Sequence, residues 1–337
     1  MKYKELGKTG LKCAVISFGG IPIQRSDAAN TVAVVDALEK YGMNYIDTAR
    51  GYTVSEEYLG AALEGRREKF ILATKSMSRD YEGMKKDVEI SLKNLRTDYI
   101  DVYQLHNLAL KDYDKAFGPG GAYEALAEAK AAGRIRHIGV TAHSLDALKK
   151  MIEEQGERIE TVMFPYNIVE TQGDAVLKEA RARGIATIAM KPMAGGNLDD
   201  GKLALRFIEA SGAIDISIPG MGSVEEVERN ASAAEELTPL TEEELKTCET
   251  IRRELGNHFC RRCGYCAPCT VGIDIPSNFL MVNYLRKYDL ADWARARYSG
   301  MAHHAGECIG CGECEKRCPY ELPIREMLKD VAGEFGV

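Results

Sequence analysis

Between residues 13 and 220 short apolar runs alternate with longer helical patterns, and this alternation limits the possible folds more than any other feature of the chain. The runs are AVISFG (14–19), YIDTA (45–49), FILAT (70–74), IDVYQLH (100–106), RHIGVT (136–141), TVMFPY (161–166), ATIAM (186–190) and AIDISIP (213–219). They are continuously apolar rather than alternating in polarity, as parallel strands covered on both faces are. Helical patterns follow most of them, at 27–41, 81–95, 121–132, 144–154, 173–183 and 223–235. Ser55, Ser144 and Ser223 each precede a helical pattern with an acid near its first turn, the chemistry of an N-cap. Eight such units predict an α/β chain folded as a (β/α)8 TIM barrel. An open doubly wound sheet is the alternative, yet FGGIPIQR after the first run lacks the G-x-G-x-x-G fingerprint.

The alternation ends near Pro239, which divides the chain into a barrel over 1–240, a connecting acidic helix over 241–256 and a cysteine-rich module over 257–337. Two continuous quartets stand in that module: Cys260, Cys263, Cys266 and Cys269, then Cys308, Cys311, Cys314 and Cys318 followed by Pro319. Two-residue gaps set successive thiolates around one compact centre, and the C-P ending is the bacterial ferredoxin pattern. We read the eight cysteines as ligands of two 4Fe–4S clusters. Zinc is the rival metal, although zinc ribbons split their ligands into two distant pairs. In two-cluster ferredoxins the fourth cysteine of each run ligates the other cluster. That rule would group Cys260, Cys263 and Cys266 with Cys318, and Cys308, Cys311 and Cys314 with Cys269. The insert between the runs contains NFLMVNYLRKYDLADWARARYSG, which predicts one or two amphipathic helices and a mostly helical module. Cys13 and Cys248 are isolated and read as plain buried thiols.

The net charge of −7 argues against a nucleic-acid partner. No apolar run approaches the roughly 18 residues of a membrane span, and MKYKELGKTG does not resemble a secretory signal. Disulfides are therefore not expected, and the cytoplasm is the expected compartment.

Chemistry in such barrels sits at the carboxyl ends of the strands. Asp47 lies at the end of the second run with Tyr52 five residues on, Lys75 closes the third, and His106 closes the fourth. Here the sequence resembles the aldo/keto reductase superfamily, from ELGKTGL (5–11) through IDTARGYTVSEEYLG, ATK, LHN and IPGMGSVEEVERN. The resemblance implies that Asp47, Tyr52, Lys75 and His106 form the family's catalytic tetrad. Carbonyl reduction needs a hydride on carbon and a proton on oxygen. A free tyrosine ionises near pH 10, and an adjacent ammonium lowers that value. Tyr52 is thus the expected proton donor, Lys75 its activator, Asp47 the group that holds Lys75, and His106 the group that orients the substrate oxygen. A strand-end Asp–Lys pair that is only structural is the competing reading.

The resemblance further implies NADP(H) or NAD(H) bound at the open barrel face. Thr141, Asn167, Lys191, Gly195, Pro219, Gly220, Ser223 and Asn230 match its cofactor-binding positions. The chain departs from the family in places. Thr141-Ala142-His143 replaces a Ser-Asn pair, and Met190 stands where an aromatic ring often stacks on nicotinamide. Glu226 stands where an arginine often meets the 2′-phosphate, and Arg229 replaces an acid before Asn230. A carboxylate near a 2′-phosphate repels it. Ala109–Gly121 is expected to form part of the substrate rim, with Tyr113 and Phe117 either walling the site or packing the loop onto the barrel. The expected partners are a small carbonyl substrate and, through the clusters, a ferredoxin or flavoprotein. An iron–sulfur electron-transfer or regulatory protein built on the same scaffold is the alternative function.

Overall fold

A short antiparallel hairpin, β1 (Tyr3–Glu5) and β2 (Lys12–Ala14), opens the chain in the computed structural model, which describes residues 1–256, 258–262, 264–287 and 290–336. The apolar runs then form eight parallel strands, each paired with the next. They are β3 (Phe18–Gly19), β4 (Tyr45–Asp47), β5 (Ile71–Ser76), β6 (Ile100–Leu105), β7 (Ile135–Thr141), β8 (Thr161–Pro165), β9 (Ala186–Met190) and β10 (Ile216–Ile218). Parallel bridges from Ile16 to Ser217 and from Gly19 to Gly220 join the first strand to the last. The sheet is therefore a closed barrel without free edges, the fold expected from the alternation. A Cβ on Gly19 would lie 2.8 Å from the Ile218 carbonyl oxygen, so closure at this point needs glycine.

Helices cover the outside: α1 (Ala28–Tyr41), α2 (Ser55–Ala62), α3 (Tyr81–Asn94), α4 (Leu110–Phe117), α5 (Ala122–Ala131), α6 (Leu145–Gln155), α7 (Asp174–Ala182), α8 (Gly201–Ala210) and α9 (Val224–Glu235). Ser144 and Ser223 cap α6 and α9, accepting from the N–H groups of Ala147 and Glu226. Ser55 departs from expectation. It is the first residue of α2, and its hydroxyl is taken by the Gly20 carbonyl and Thr48 instead of a helix N–H. The segment 109–121 contains α4. There Tyr113 and Phe117 are buried against each other with ring centroids 5.2 Å apart, so they pack the loop onto the barrel.

Successive side chains of a strand point to opposite faces. Tyr45, Ala73, Val102, Met163, Ile188 and Ile216 fill the barrel interior, joined from the hairpin by Leu6 and Cys13. The other face packs under the helices through Ile46, Leu72, Tyr103, Phe164 and Ala189. Burial, with Asp101 and Asp215 nearby, pushes the Cys13 thiol up to about 12. Cys13 and Cys248 are both buried, uncrosslinked thiols.

The chain divides into two compact units, Met1–Met193 with Asp200–Leu240, and Ala194–Asp199 with Thr241–Val337. The second is helical: α10 (Glu242–Gly256), α11 (Ile275–Lys287), α12 (Ala291–Ser299), α13 (Glu313–Lys316) and α14 (Ile324–Phe335). Its core joins Ile275, Phe279, Leu328 and Val331 to Cys266 and Cys314. No described helix is long and apolar enough to cross a membrane.

Candidate active site and cluster site

Inward parity carries Tyr45 on to Asp47, Ala73 to Lys75 and Val102 to Gln104, each at the carboxyl end of its strand. In register Asp47 lies beside Ala73, and Lys75 beside Gln104. The Lys75 ammonium donates to Asp47 Oδ2 and, at 2.8 Å, to the Thr48 carbonyl. Gln104 donates to Asp47 Oδ1 at 3.3 Å. Lys75 and Asp47 are 2% and 3% exposed, so water does not screen the pair. Burial pushes the Asp47 carboxyl up and the Lys75 ammonium down, while each partner acts in the opposite sense on the other.

The Tyr52 ring lies over this pair, with its centroid 5.0 Å from Lys75 Nζ. His106 meets that ring edge-on, centroid to centroid 6.0 Å at 86°. The four side chains thus converge, although they come from separate segments of the chain. Burial, and the cations of Lys75 and Arg79, hold the His106 imidazole well below its ordinary range, so it is neutral. Its Nδ1 is buried without a hydrogen-bond partner among the described residues.

Three further residues shape the site. Gln104 braces Asp47. Arg79, buried beside His106, donates to the His106 and Asn107 carbonyls at 2.7 and 3.0 Å and fixes that loop. Glu56, 1% exposed, accepts from the Thr74 and Ser91 hydroxyls at 2.8 Å and from Arg50 at 2.5 Å. Arg50 and Glu56 flank Tyr52, so this bond staples the turn that carries it. The sequence signal for Gln104 is a lone amide inside the apolar run IDVYQLH. Glu56 looks like an ordinary first-turn acid, and its burial depends on partners far along the chain.

Lys75→Met is expected to destabilise the first unit by about 3–5 kcal/mol, because it strands a buried carboxylate. Urea unfolding checks this, and the Asp47→Asn/Lys75→Met double variant should recover part of the loss. A single variant as stable as the parent would mean that Asp47 carries no charge.

The residues matched to a cofactor site lie at or beyond the carboxyl ends of β7, β8, β9 and β10. Thr141 is buried at the end of β7, and its hydroxyl accepts the Asn107 N–H at 2.6 Å. Asn167 is fully buried, and its amide is engaged within the chain. It donates to Glu170 and the Lys191 carbonyl, and accepts the Val169 and Glu170 N–H groups. Lys191 has a left-handed backbone (φ 56°) and its ammonium lies 3.4 Å from His143 Nε2. Half-buried Met190 ends β9. Pro219 and Gly220 follow β10, with the Pro219 carbonyl accepting the Gly19 N–H at 2.9 Å. Ser223 caps α9, and Asn230 in that helix donates to the Glu226 carbonyl at 2.9 Å. The Glu226 carboxylate accepts the Gly222 N–H at 2.6 Å and lies 3.9 Å from the Arg229 guanidinium. Gly195 (φ 67°) lies in the 194–199 segment, which belongs to the second unit.

In that second unit Cys269, Cys308, Cys311 and Cys314 line one cavity, with Val271, Ile275 and Leu328 supplying apolar wall. One thiol comes from the first run and three from the second. Thr270 hydrogen-bonds Cys311 Sγ at 3.4 Å, and Arg317 donates to the Pro268 carbonyl at 2.7 Å, so the runs are tied together. Gly310 and Gly312, with φ of 71° and 74°, wind the second run around the cavity. Thiols spaced around an apolar space fit a cluster. Among the described residues no three His, Cys, Asp or Glu side chains converge as they would on a single ion. Cys260, Cys266 and Cys318 belong to the same core, and Cys263 lies outside the described residues.

A family model described as the aldo/keto reductase family matches residues 15–203, and one described as a 4Fe-4S dicluster domain matches residues 259–323. The chain is similar to L-galactose dehydrogenase of Arabidopsis thaliana, 26% identical over 76% of this chain and 96% of that protein. It is also similar to aldo-keto reductase YhdN of Bacillus subtilis, 30% identical over 59% of this chain and 64% of that one. Among solved structures, the holo form of aldo-keto reductase AKR11C1 from Bacillus halodurans superposes with a TM-score of 0.65 at 28% identity. That match covers 74% of this chain and 96% of the other.

Proposed function

Because this chain belongs to the aldo/keto reductase family of oxidoreductases, we propose that it interconverts a carbonyl and an alcohol in the cytoplasm, with NADPH or NADH and with Tyr52 as proton donor. The observation that carries this reading is the buried Lys75–Asp47 pair beneath the Tyr52 ring, with His106 edge-on to it. When bound, a reduced nicotinamide would supply the hydride that the carbonyl carbon needs. His106, kept neutral, orients the carbonyl oxygen. Tyr52 gives its hydroxyl proton to that oxygen, so hydride and proton together complete the alcohol. The phenolate left behind faces the Lys75 ammonium, which Asp47, Gln104 and the Thr48 carbonyl hold in place. In alcohol oxidation the same proton returns to Tyr52.

Thr141, Lys191, Pro219, Gly220, Ser223 and Asn230 are the proposed cofactor contacts. Asn167 serves by bracing Lys191 as well as by position. The first turn of α9 offers backbone N–H groups to a phosphate. Glu226 opposes a 2′-phosphate, but Arg229 and the Gly222 N–H offset part of its charge, which supports use of either nicotinamide.

The cysteines are proposed to hold two 4Fe–4S clusters in crossed fashion. Cys269, Cys308, Cys311 and Cys314 share one, and Cys260, Cys263, Cys266 and Cys318 the other. The shared cavity of the first set supports this grouping. A second reading, electron exchange with a ferredoxin or flavoprotein, is supported by the exposure of Cys311 and of its neighbour Ile309, 63% exposed. One anaerobic preparation tests both. Oxidation of NADPH or NADH dependent on an aldehyde or ketone, with clusters unchanged, is the expected result. Turnover of no carbonyl rejects the reductase reading. Cluster bleaching by reduced nicotinamide alone moves the assignment to electron transfer.

A further inference from the structure

Besides its thiols and apolar wall, the cavity that Cys269, Cys308, Cys311 and Cys314 share is lined by Thr270, Glu313, Arg317 and Arg325. Two of these charges are neutralised within the chain. The Arg325 guanidinium lies 2.7 Å from the Glu315 carboxylate, and the Glu313 carboxylate lies 2.6 Å from the Lys316 ammonium. Arg317 differs. It donates to the Glu313 and Pro268 carbonyls at 3.1 and 2.7 Å, and among the described residues no carboxylate pairs with it. Its charge is left to act on whatever fills the cavity.

Thr270 supplies a second polar group. It follows Cys269 in the first run, yet its hydroxyl bonds Cys311 Sγ of the second run at 3.4 Å. A cysteine that ligates iron is a thiolate, which only accepts, so the Thr270 hydroxyl must donate. Reduction adds one negative charge to a cluster. A hydrogen bond to a ligand sulfur and a nearby cation both favour that charge, and both raise the reduction potential. Cys311 is exposed at the same edge, where a partner can reach it. A cluster that only staples helices needs neither group.

We infer that Thr270 and Arg317 raise the reduction potential of the cluster held by Cys269, Cys308, Cys311 and Cys314, and so make it the centre that takes up an electron from a ferredoxin or flavoprotein. The cluster gains one electron and the carrier loses one, with no bond made or broken. The inference rests on the electron-exchange reading above and is independent of carbonyl reduction.

The test uses the full-length, cluster-loaded protein, poised anaerobically with dithionite at stepped potentials and read by electron paramagnetic resonance. Thr270→Val and Arg317→Gln are each expected to shift the same one of two midpoint potentials to a more negative value. The reduction equilibrium should fall roughly three- to tenfold, since both groups are partly open to solvent; tenfold is about 59 mV for one electron. The shifted signal should be the one absent from Cys314→Ser. Thr270→Ser and Arg317→Lys, which keep the donor and the charge, should stay near the parent. Should either test variant lose its iron, Thr270→Ala or Arg317→Met takes its place. An unchanged potential in either variant, or shifts in different clusters, overturns the inference and leaves the clusters standing. A parent whose iron dithionite does not reduce rejects electron exchange, and a parent without iron and sulfide rejects the clusters; the inference falls with either.

Discussion

Tyr52→Phe is expected to lower kcat for carbonyl reduction by at least about a hundredfold, the scale of a lost general acid, while cofactor affinity and the unfolding midpoint stay near those of the parent. The substitution deletes one oxygen and keeps the ring. The ring is what lies 5.0 Å from Lys75 Nζ and edge-on to His106. The buried ion pair, the Glu56 staple and the His106 loop retain their own partners. Only the step that delivers a proton to the substrate oxygen is removed. Steady-state rates with equilibrium cofactor binding separate the cases. A rate within a few-fold of the parent would remove Tyr52 from its role. Loss of cofactor binding together with rate would point to a collapsed turn instead.

The second large effect lies in the cysteine module. Cys269→Ser and Cys314→Ser, one from each run, are expected to lose the same cluster, roughly half of the iron and sulfide if two 4Fe–4S centres are bound. Cys266→Ser and Cys318→Ser should lose the other. Iron and acid-labile sulfide analysis, with electron paramagnetic resonance of the reduced protein, would distinguish the two pairs. If Cys269→Ser instead behaved like Cys266→Ser, each run would close on its own cluster. The thiols are part of the apolar core of this unit, Cys266 and Cys314 being buried in it. Complete cluster removal should therefore also unfold the helices around them, because ligand binding and folding share one free energy.

Much of the barrel is legible in the sequence itself. Strand placement followed from continuous apolar runs, and the barrel strands fall within those runs or a residue or two beyond them. The shorter first strand, Phe18–Gly19, reflects closure, where single bridges to Ser217 and Gly220 replace a longer ladder. In the barrel unit the named helical patterns do not include α4 and α8. α4 carries its apolar face inside a segment rich in charge and glycine, and α8 follows a glycine-rich stretch, although Asp200 caps it by accepting the Leu203 N–H. Ser55 shows the limit of cap reading. Its hydroxyl had better partners in Gly20 and Thr48, residues that only barrel closure brings near. The partners of the Asn167 amide, Glu170 and the Lys191 carbonyl, are likewise set by how the loops after β8 and β9 meet.

Local periodicity is carried by neighbouring residues, so the order of strands and helices, and the supply of eight clustered thiols, belonged to the chain itself. Competition among distant groups is not local. That Asp47 would find Lys75 and Gln104, that Glu56 would be sealed beside Tyr52, and that Cys269 would face the second run's cavity depended on strand register and on which side chain reached each partner first in space. Those contacts are set by closure of the barrel and folding of the module, where burial makes each pairing far stronger than it would be in water.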